Sequence, residues 1–129
     1  MSKTVQANPA HLPYPAAIDA YGKGGFAFAG VSHRGSLLCL PDGIWAWPVE
    51  NAAAIDENTL RLALDRATML DLFLIGTGAD AWIMPEPLRR RCREAGLKTE
   101  TMQTGSAVRT YNVLLAERRR VGAALIAVP

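Results

Sequence analysis

Residues Leu74–Arg89 read LIGTGADAWIMPEPLR, and the parsing of this stretch decides the fold. It leaves an apolar run, bends through Gly76, Thr77 and Gly78, and enters a segment led by Pro85. The run behind it, MLDLFLIG (Met69–Gly76), is too short and too uniformly apolar for a surface helix. It predicts a strand buried on both faces. Pro85 suits a first helical turn, where its missing N–H has no intrahelical bond to lose. Gly96 suits the left-handed residue that ends a helix. A helix is therefore expected over about Pro85–Ala95, after a loop from Gly76 to Met84.

Toward the C-terminus the alternation repeats. LKTETM (Leu97–Met102) predicts a strand and QTGSA a loop. Ser106 is placed to cap a helix over about Ala107–Glu117, and VGAALIAV (Val121–Val128) predicts a last buried strand. Strands and helices alternating across short connections imply parallel pairing with right-handed crossovers. Toward the N-terminus the pattern is different. GGFAFAGVSH (Gly24–His33), SLLCLP (Ser36–Pro41) and IWAWPV (Ile44–Val49) predict three short strands joined by tight turns, PDG (Pro41–Gly43) being the clearest. Asp56 can cap a helix over about Glu57–Arg66. The expected fold is therefore α/β: three layers, a central mixed sheet with helices, and an N-terminal antiparallel meander followed by β-α-β-α-β.

The length of 129 residues fits one domain. The polar, Pro-containing start suggests a loosely held arm over residues 1–15, and a single α/β domain over 16–129. That start carries one Lys and no apolar core, so it does not resemble a secretory signal. No apolar run approaches the roughly 20 residues that span a bilayer. A cytoplasmic protein is expected.

A formal net charge of +2 demands no anionic partner. The basic excess sits in Arg89, Arg90, Arg91 and Arg93, and in Arg118, Arg119 and Arg120. Such runs are usually solvated helix faces, and Glu86–Arg90 and Arg90–Glu94 have the i,i+4 spacing of helix pairs. Arg89, Arg90 and Arg93 form the candidate basic patch, but nucleic acid is not the expected partner. Cys39 and Cys92 each sit in an apolar pattern and read as small buried hydrophobes. His11 and His33 lack partners at metal-ligand spacing, so no metal site is expected.

A phosphate cradle requires backbone N–H groups converging on one space, ideally at a helix N-terminus. Gly76 and Gly78 supply flexibility, but Ala81 stands where a dinucleotide fingerprint needs a third Gly, and the Gly-Lys-Ser/Thr of a P-loop is absent. GTGADAW and QTGSA nevertheless follow strands expected to be parallel. Both loops should then emerge at the carboxyl edge of the sheet, where open α/β sheets place ligands. Candidate surface residues there are Gly76, Thr77, Gly78, Thr104 and Gly105, with Arg109 one turn into the following helix and Tyr111 and Asn112 beyond it. Tyr111 falls with Ala107, Leu114 and Leu115 on a plausible core face, and Asn112, a poor helix former, suggests a hydrogen bond to a neighbouring loop.

No Ser-His-Asp or Cys-His grouping is readable, and Thr77, Thr104 and Ser106 have no evident base. Trp45, Trp47 and Trp82 could serve a partner surface or the core.

Several of these motifs occur together elsewhere. LIGTG, a Pro-led helix, AGL and MQTGSAVRTYNVLLAERRRVGAALI, with IDAYGKGGFAFAG and RGSLLCLPDGIWAW before them, resemble a small family of unknown molecular function. That family includes the mitochondrial respiratory complex I assembly factor 3 and small bacterial and archaeal single-domain proteins. The resemblance runs from about Ile18 to Val128. It implies three layers around a mixed sheet, no established catalytic residue and no cofactor. Its motif positions fall on Gly76, Thr77, Gly78, Pro85, Thr104, Ala107, Thr110, Tyr111, Asn112 and Leu114. One departure stands out: the family commonly has Glu-Gly-Arg after the last helix, and this chain has Glu117-Arg118-Arg119. If position 118 requires positive φ, Arg costs about 1 kcal/mol there. The expected function is non-enzymatic protein interaction or assembly, extending to respiratory complex assembly, with a protein partner. The alternative is a small domain, ligand-binding or enzymatic, that holds an anion at the carboxyl edge.

Overall fold

A computed structural model describes residues 12–129. The order is β1 (Ala20–Gly22), β2 (Gly25–Phe28), β3 (Val31–Arg34), β4 (Ser36–Leu40), β5 (Gly43–Trp47), α1 (Arg61–Asp65), β6 (Leu72–Gly76), α2 (Glu86–Ala95), β7 (Thr99–Met102), α3 (Thr104–Ala116) and β8 (Val121–Leu125). Single 3-10 turns occupy Ala52–Ala54 and Ala67–Met69.

Two sheets form. β4 to β8 make a five-stranded sheet in the order β5-β4-β8-β6-β7, and β1-β2-β3 make a small antiparallel one. β6 runs parallel to both β7 and β8, while β4 runs antiparallel to β5 and β8. β6 leads to β7 on one side, and β7 leads back past β6 to β8. Two right-handed crossovers in opposite directions place α2 and α3 on opposite faces. Side-chain alternation then divides the core. Phe73 and Ile75 join α2 residues Leu88 and Cys92, with Leu60, Ala63 and Leu64 around α1. Leu74 joins α3 residues Ala107, Val108 and Tyr111, with Phe26 and Phe28 of the small sheet. The result is the expected three-layer α/β arrangement. β4 and β8 are buried along their whole length because both faces of the sheet are covered.

Several local expectations need correction. Gly24–His33 is a hairpin, β2–β3, because Ala29 and Gly30 both take positive φ (48° and 77°). Two successive positive φ values make the tight turn whose twist suits a hairpin. Ala lacks the usual Asn or Asp signature, so the reversal was hidden in the sequence. The meander therefore divides between the two sheets. The helix expected over Glu57–Arg66 shrinks to α1, whose N-cap is Leu60 without a side-chain bond; Asp56 instead holds the turn ahead of it, its Oδ1 accepting the Thr59 N–H at 2.8 Å. Met69 belongs to a 3-10 turn, and the strand begins at Leu72. α3 begins at Thr104 rather than after Ser106, with Gln103 as an N-cap that makes no side-chain bond.

The arm expected over residues 1–15 lies outside the described residues up to residue 11. At position 12 the chain is held, since Leu12 is buried and its carbonyl accepts the Ile44 N–H at 3.1 Å.

Candidate functional site

The parallel pairing of β6, β7 and β8 brings the two Gly-containing loops to one rim, and they lock together there. Gly78 N–H donates to Thr104 Oγ1 at 2.9 Å, and Thr104 N–H donates to the Gly78 carbonyl at 3.0 Å. The Thr104 hydroxyl in turn donates to the Ile126 carbonyl at 2.7 Å. Thr77 N–H reaches the Met102 carbonyl at 2.8 Å, and its hydroxyl donates to the Asp80 carbonyl at 2.7 Å. Gln103 Nε2 closes the outside by donating to the Ala79 carbonyl at 2.7 Å. Gly76 is Gly because a Cβ there would stand 3.0 Å from Thr104 Cα and 3.1 Å from Leu125 Cδ2.

This geometry bears on the phosphate cradle at one group. The Gly78 amide that would face an anion is occupied by Thr104, which is wholly buried. The Gly78 N–H and C=O bind the neighbouring loop, and the two glycines allow close approach at position 76 and a positive φ at position 78.

The candidate residues then separate. Gly76, Thr77, Gly78, Thr104 and Gly105 come together at the rim. Gly105 lies under Tyr21, whose hydroxyl oxygen is 2.5 Å from where a Gly105 Cβ would be. Arg109 is exposed one turn along α3. Tyr111 and Asn112 lie about 10 Å below the start of α3, and their bonds are structural. Tyr111 is fully buried and its hydroxyl donates to the Ala16 carbonyl at 3.0 Å. Asn112 clasps the Ile18 peptide from both sides: Oδ1 accepts the N–H at 2.9 Å and Nδ2 donates to the carbonyl at 2.8 Å. That bond to a neighbouring segment is the one its mid-helix position implied.

The basic residues are partly compensated. Glu86 lies 3.8 Å from Arg89 and 3.6 Å from Arg93, rather than pairing with Arg90 as the i,i+4 spacing suggested. Arg91 pairs with Glu57 at 3.0 Å. Arg119 and Arg120 pair with Asp71, which precedes β6 at the end of the sheet opposite the rim. Hydrogen bonds from Arg120 hold the Asp71 carboxyl below its ordinary pKa. The two Arg clusters thus pair with different carboxylates.

Trp47 is buried and donates to the Thr59 carbonyl at 2.8 Å, while Trp45 and Trp82 pack against the α2-side core. The side chain the sequence reading missed is Ile83. It is 85% exposed in the loop between β6 and α2, beside half-buried Trp82 and buried Met84. The available signal was three large apolar residues in a row, Trp82, Ile83 and Met84, in a loop.

Among the described residues no group of three or more His, Cys, Asp and Glu side chains could hold a metal ion. No helix among them is long and apolar enough to cross a membrane.

Comparison with known proteins gives a consistent result. A solved protein of Rhodopseudomonas palustris is 53% identical, covers 100% of this chain and 94% of its own, and superposes with a TM-score of 0.81. A structure described as an outer membrane protein from Bartonella henselae is 44% identical, covers 92% of this chain and 100% of its own, with a TM-score of 0.88. The human NADH dehydrogenase [ubiquinone] 1 alpha subcomplex assembly factor 3 is 30% identical over 112 residues, which is 87% of this chain and 61% of the human protein. A family model described as "Protein of unknown function (DUF498/DUF598)" matches residues 18–126. The motifs of the interlocked rim and the α2 and α3 helices thus sit within a matched span that is nearly the whole domain, and the chain belongs to the DUF498/DUF598 family of proteins of unknown function.

Proposed function

We propose that this chain is a non-enzymatic interaction protein that assists assembly of a respiratory complex, working in the cytoplasm through the rim formed by its two locked loops. The observation that carries the reading is Ile83. A large apolar side chain, 85% exposed, stands on a rim whose backbone groups already bind each other. Apolar anchors surrounded by polar residues are the usual centres of protein contacts. Asp80, Glu86 and Arg89 are exposed on the same loop and on the helix it enters. The process is suggested by the assembly factor 3 relatives, of whose length this chain covers about three fifths. Gly76, Thr77, Gly78, Thr104 and Gly105 are then positioning residues that fix the loop carrying Ile83, and Arg89, Arg90, Arg93 and Arg109 would border the contact.

The test is a photo-crosslinking amino acid at position 83 in living cells, combined with a deletion strain. The expected result is a crosslink to one specific protein, and reduced assembled NADH dehydrogenase in the deletion strain that wild type restores and Ile83→Asp does not. Normal assembly in the deletion strain, with no crosslinked partner, would overturn the proposal.

A further inference from the structure

β7 is one border of the five-stranded sheet. The Lys98 and Met102 carbonyls accept N–H groups of Phe73 and Thr77, both at 2.8 Å, on the β6 side. Backbone groups alternate in direction along a strand, so those of Thr99 and Thr101 point away from the sheet. Among the described residues no element covers that side, and Lys98, Glu100 and Thr101 are exposed. The opposite border differs, because Leu12 bridges Ile44 of β5. An open edge strand is a ready template for pairing.

We propose that this edge joins two copies of the chain, β7 pairing antiparallel with β7 of the second copy about a two-fold axis at Thr99. Charge selects both the occupant and the register. A two-fold at Thr99 sets Lys98 opposite Glu100 of the partner subunit, and does so twice. Neither residue has an ion-pair partner among the described residues. A two-fold at Glu100 would oppose two carboxylates, and one at Thr101 would set Glu100 against Met102. Lys98 and Glu100 share a face with Met102, which packs against the α3-side core, so both cross-strand pairs form on one side of the joined sheet. Opposite charges directly across strands stabilise pairing and like charges oppose it. A two-fold contact uses the same patch on both copies, and the +/− order of Lys98 and Glu100 is complementary to its own reverse. The outward N–H and C=O groups of Thr99 supply the central pair of backbone bonds. This surface is separate from the Ile83 rim, and the contact can exist whether or not that rim binds a protein.

The test is sedimentation of the full chain across a concentration series, with Lys98→Glu, Glu100→Lys and the double exchange. A concentration-dependent dimer is expected. Each single reversal should weaken it roughly tenfold or more, because both pairs become repulsive, and the double exchange should restore it. Independently, Thr99→Cys should form an intermolecular disulfide under mild oxidation faster than Thr101→Cys. A monomer at every concentration, a dimer indifferent to single reversals, or preferential crosslinking at position 101 would overturn the proposal.

Discussion

Gly78 and Thr104 are bonded to each other twice, the Gly78 N–H to the Thr104 hydroxyl at 2.9 Å and the Thr104 N–H to the Gly78 carbonyl at 3.0 Å. The pair joins the loop after β6 to the start of α3 across 26 residues of sequence. With Thr104 also donating to Ile126, one hydroxyl ties together the carboxyl ends of all three parallel strands. The Gly-rich rim is thus a fastening between the three parallel strands.

Thr104→Val should therefore be costly although its shape is conserved. It leaves the buried Gly78 N–H and Ile126 carbonyl without the hydroxyl that serves both. Each of the two orphaned groups costs about 1–3 kcal/mol, so a loss of about 2–6 kcal/mol is expected in urea unfolding. Thr104→Ser keeps the bonds and should lose about 1 kcal/mol for one buried methyl. Equal losses in the two variants would show that packing rather than the hydroxyl holds the rim.

The ends of α2 and α3 allow a paired comparison. Both close with the same two bonds: Gly96 N–H to Arg93 and Leu97 N–H to Cys92 in one, Arg118 N–H to Leu115 and Arg119 N–H to Leu114 in the other. The motif needs a left-handed residue, and the φ values are 82° at Gly96 and 63° at Arg118. Arg118→Gly should therefore raise stability by about 1 kcal/mol, and Gly96→Ala should lower it by about the same amount. A destabilised Arg118→Gly variant would mean that the side chain contributes more than its backbone strain costs.

That comparison also marks what the sequence carried. The departure at Glu117-Arg118-Arg119 marked position 118 in the sequence, but only the structure shows that the turn keeps its positive φ with Arg in place. The parallel strands were legible because β6 and β8 are short apolar runs separated by helix signals, a pattern set by burial on both faces. The β2–β3 hairpin was not legible, because Ala29 takes positive φ with none of the usual turn chemistry. The rim was legible as a place, since parallel topology sends both loops to one edge. Its lock was not, because hydrogen bonds between residues 26 apart leave no local pattern. Ile83 was missed because periodicity finds apolar residues without saying which one lacks room inside.

Asn112 should act as a local clamp on Ile18. Asn112→Ala removes both bonds to that peptide and should cost about 1–3 kcal/mol. Amide exchange at Ile18 should accelerate far more than at Leu74 in the sheet centre. Uniform acceleration at both sites would indicate general destabilisation and refute the clamp.

The last expectation concerns alkaline pH. Burial pushes the Cys39 thiol from 9.0 up to about 12, against a smaller opposing effect of its hydrogen bond with Tyr111. Burial likewise raises the Tyr111 hydroxyl above its ordinary 10.0, with Cys39 adding to the rise. Both groups stay protonated when folded and ionise more readily when unfolded. The contribution of this pair to stability is therefore fully present below pH 9.0 and is lost as pH climbs from there toward 12. Tyr111→Phe should be less stable at neutral pH by about 1–2 kcal/mol, since the Ala16 carbonyl loses its donor. Its decline at high pH should nevertheless be shallower than that of wild type, because one of the two suppressed ionisations is gone. Urea midpoints measured from neutral to strongly alkaline pH separate the two effects. Parallel curves for the two proteins would mean that Tyr111 does not titrate on unfolding, and would remove this pair as the source of alkaline sensitivity.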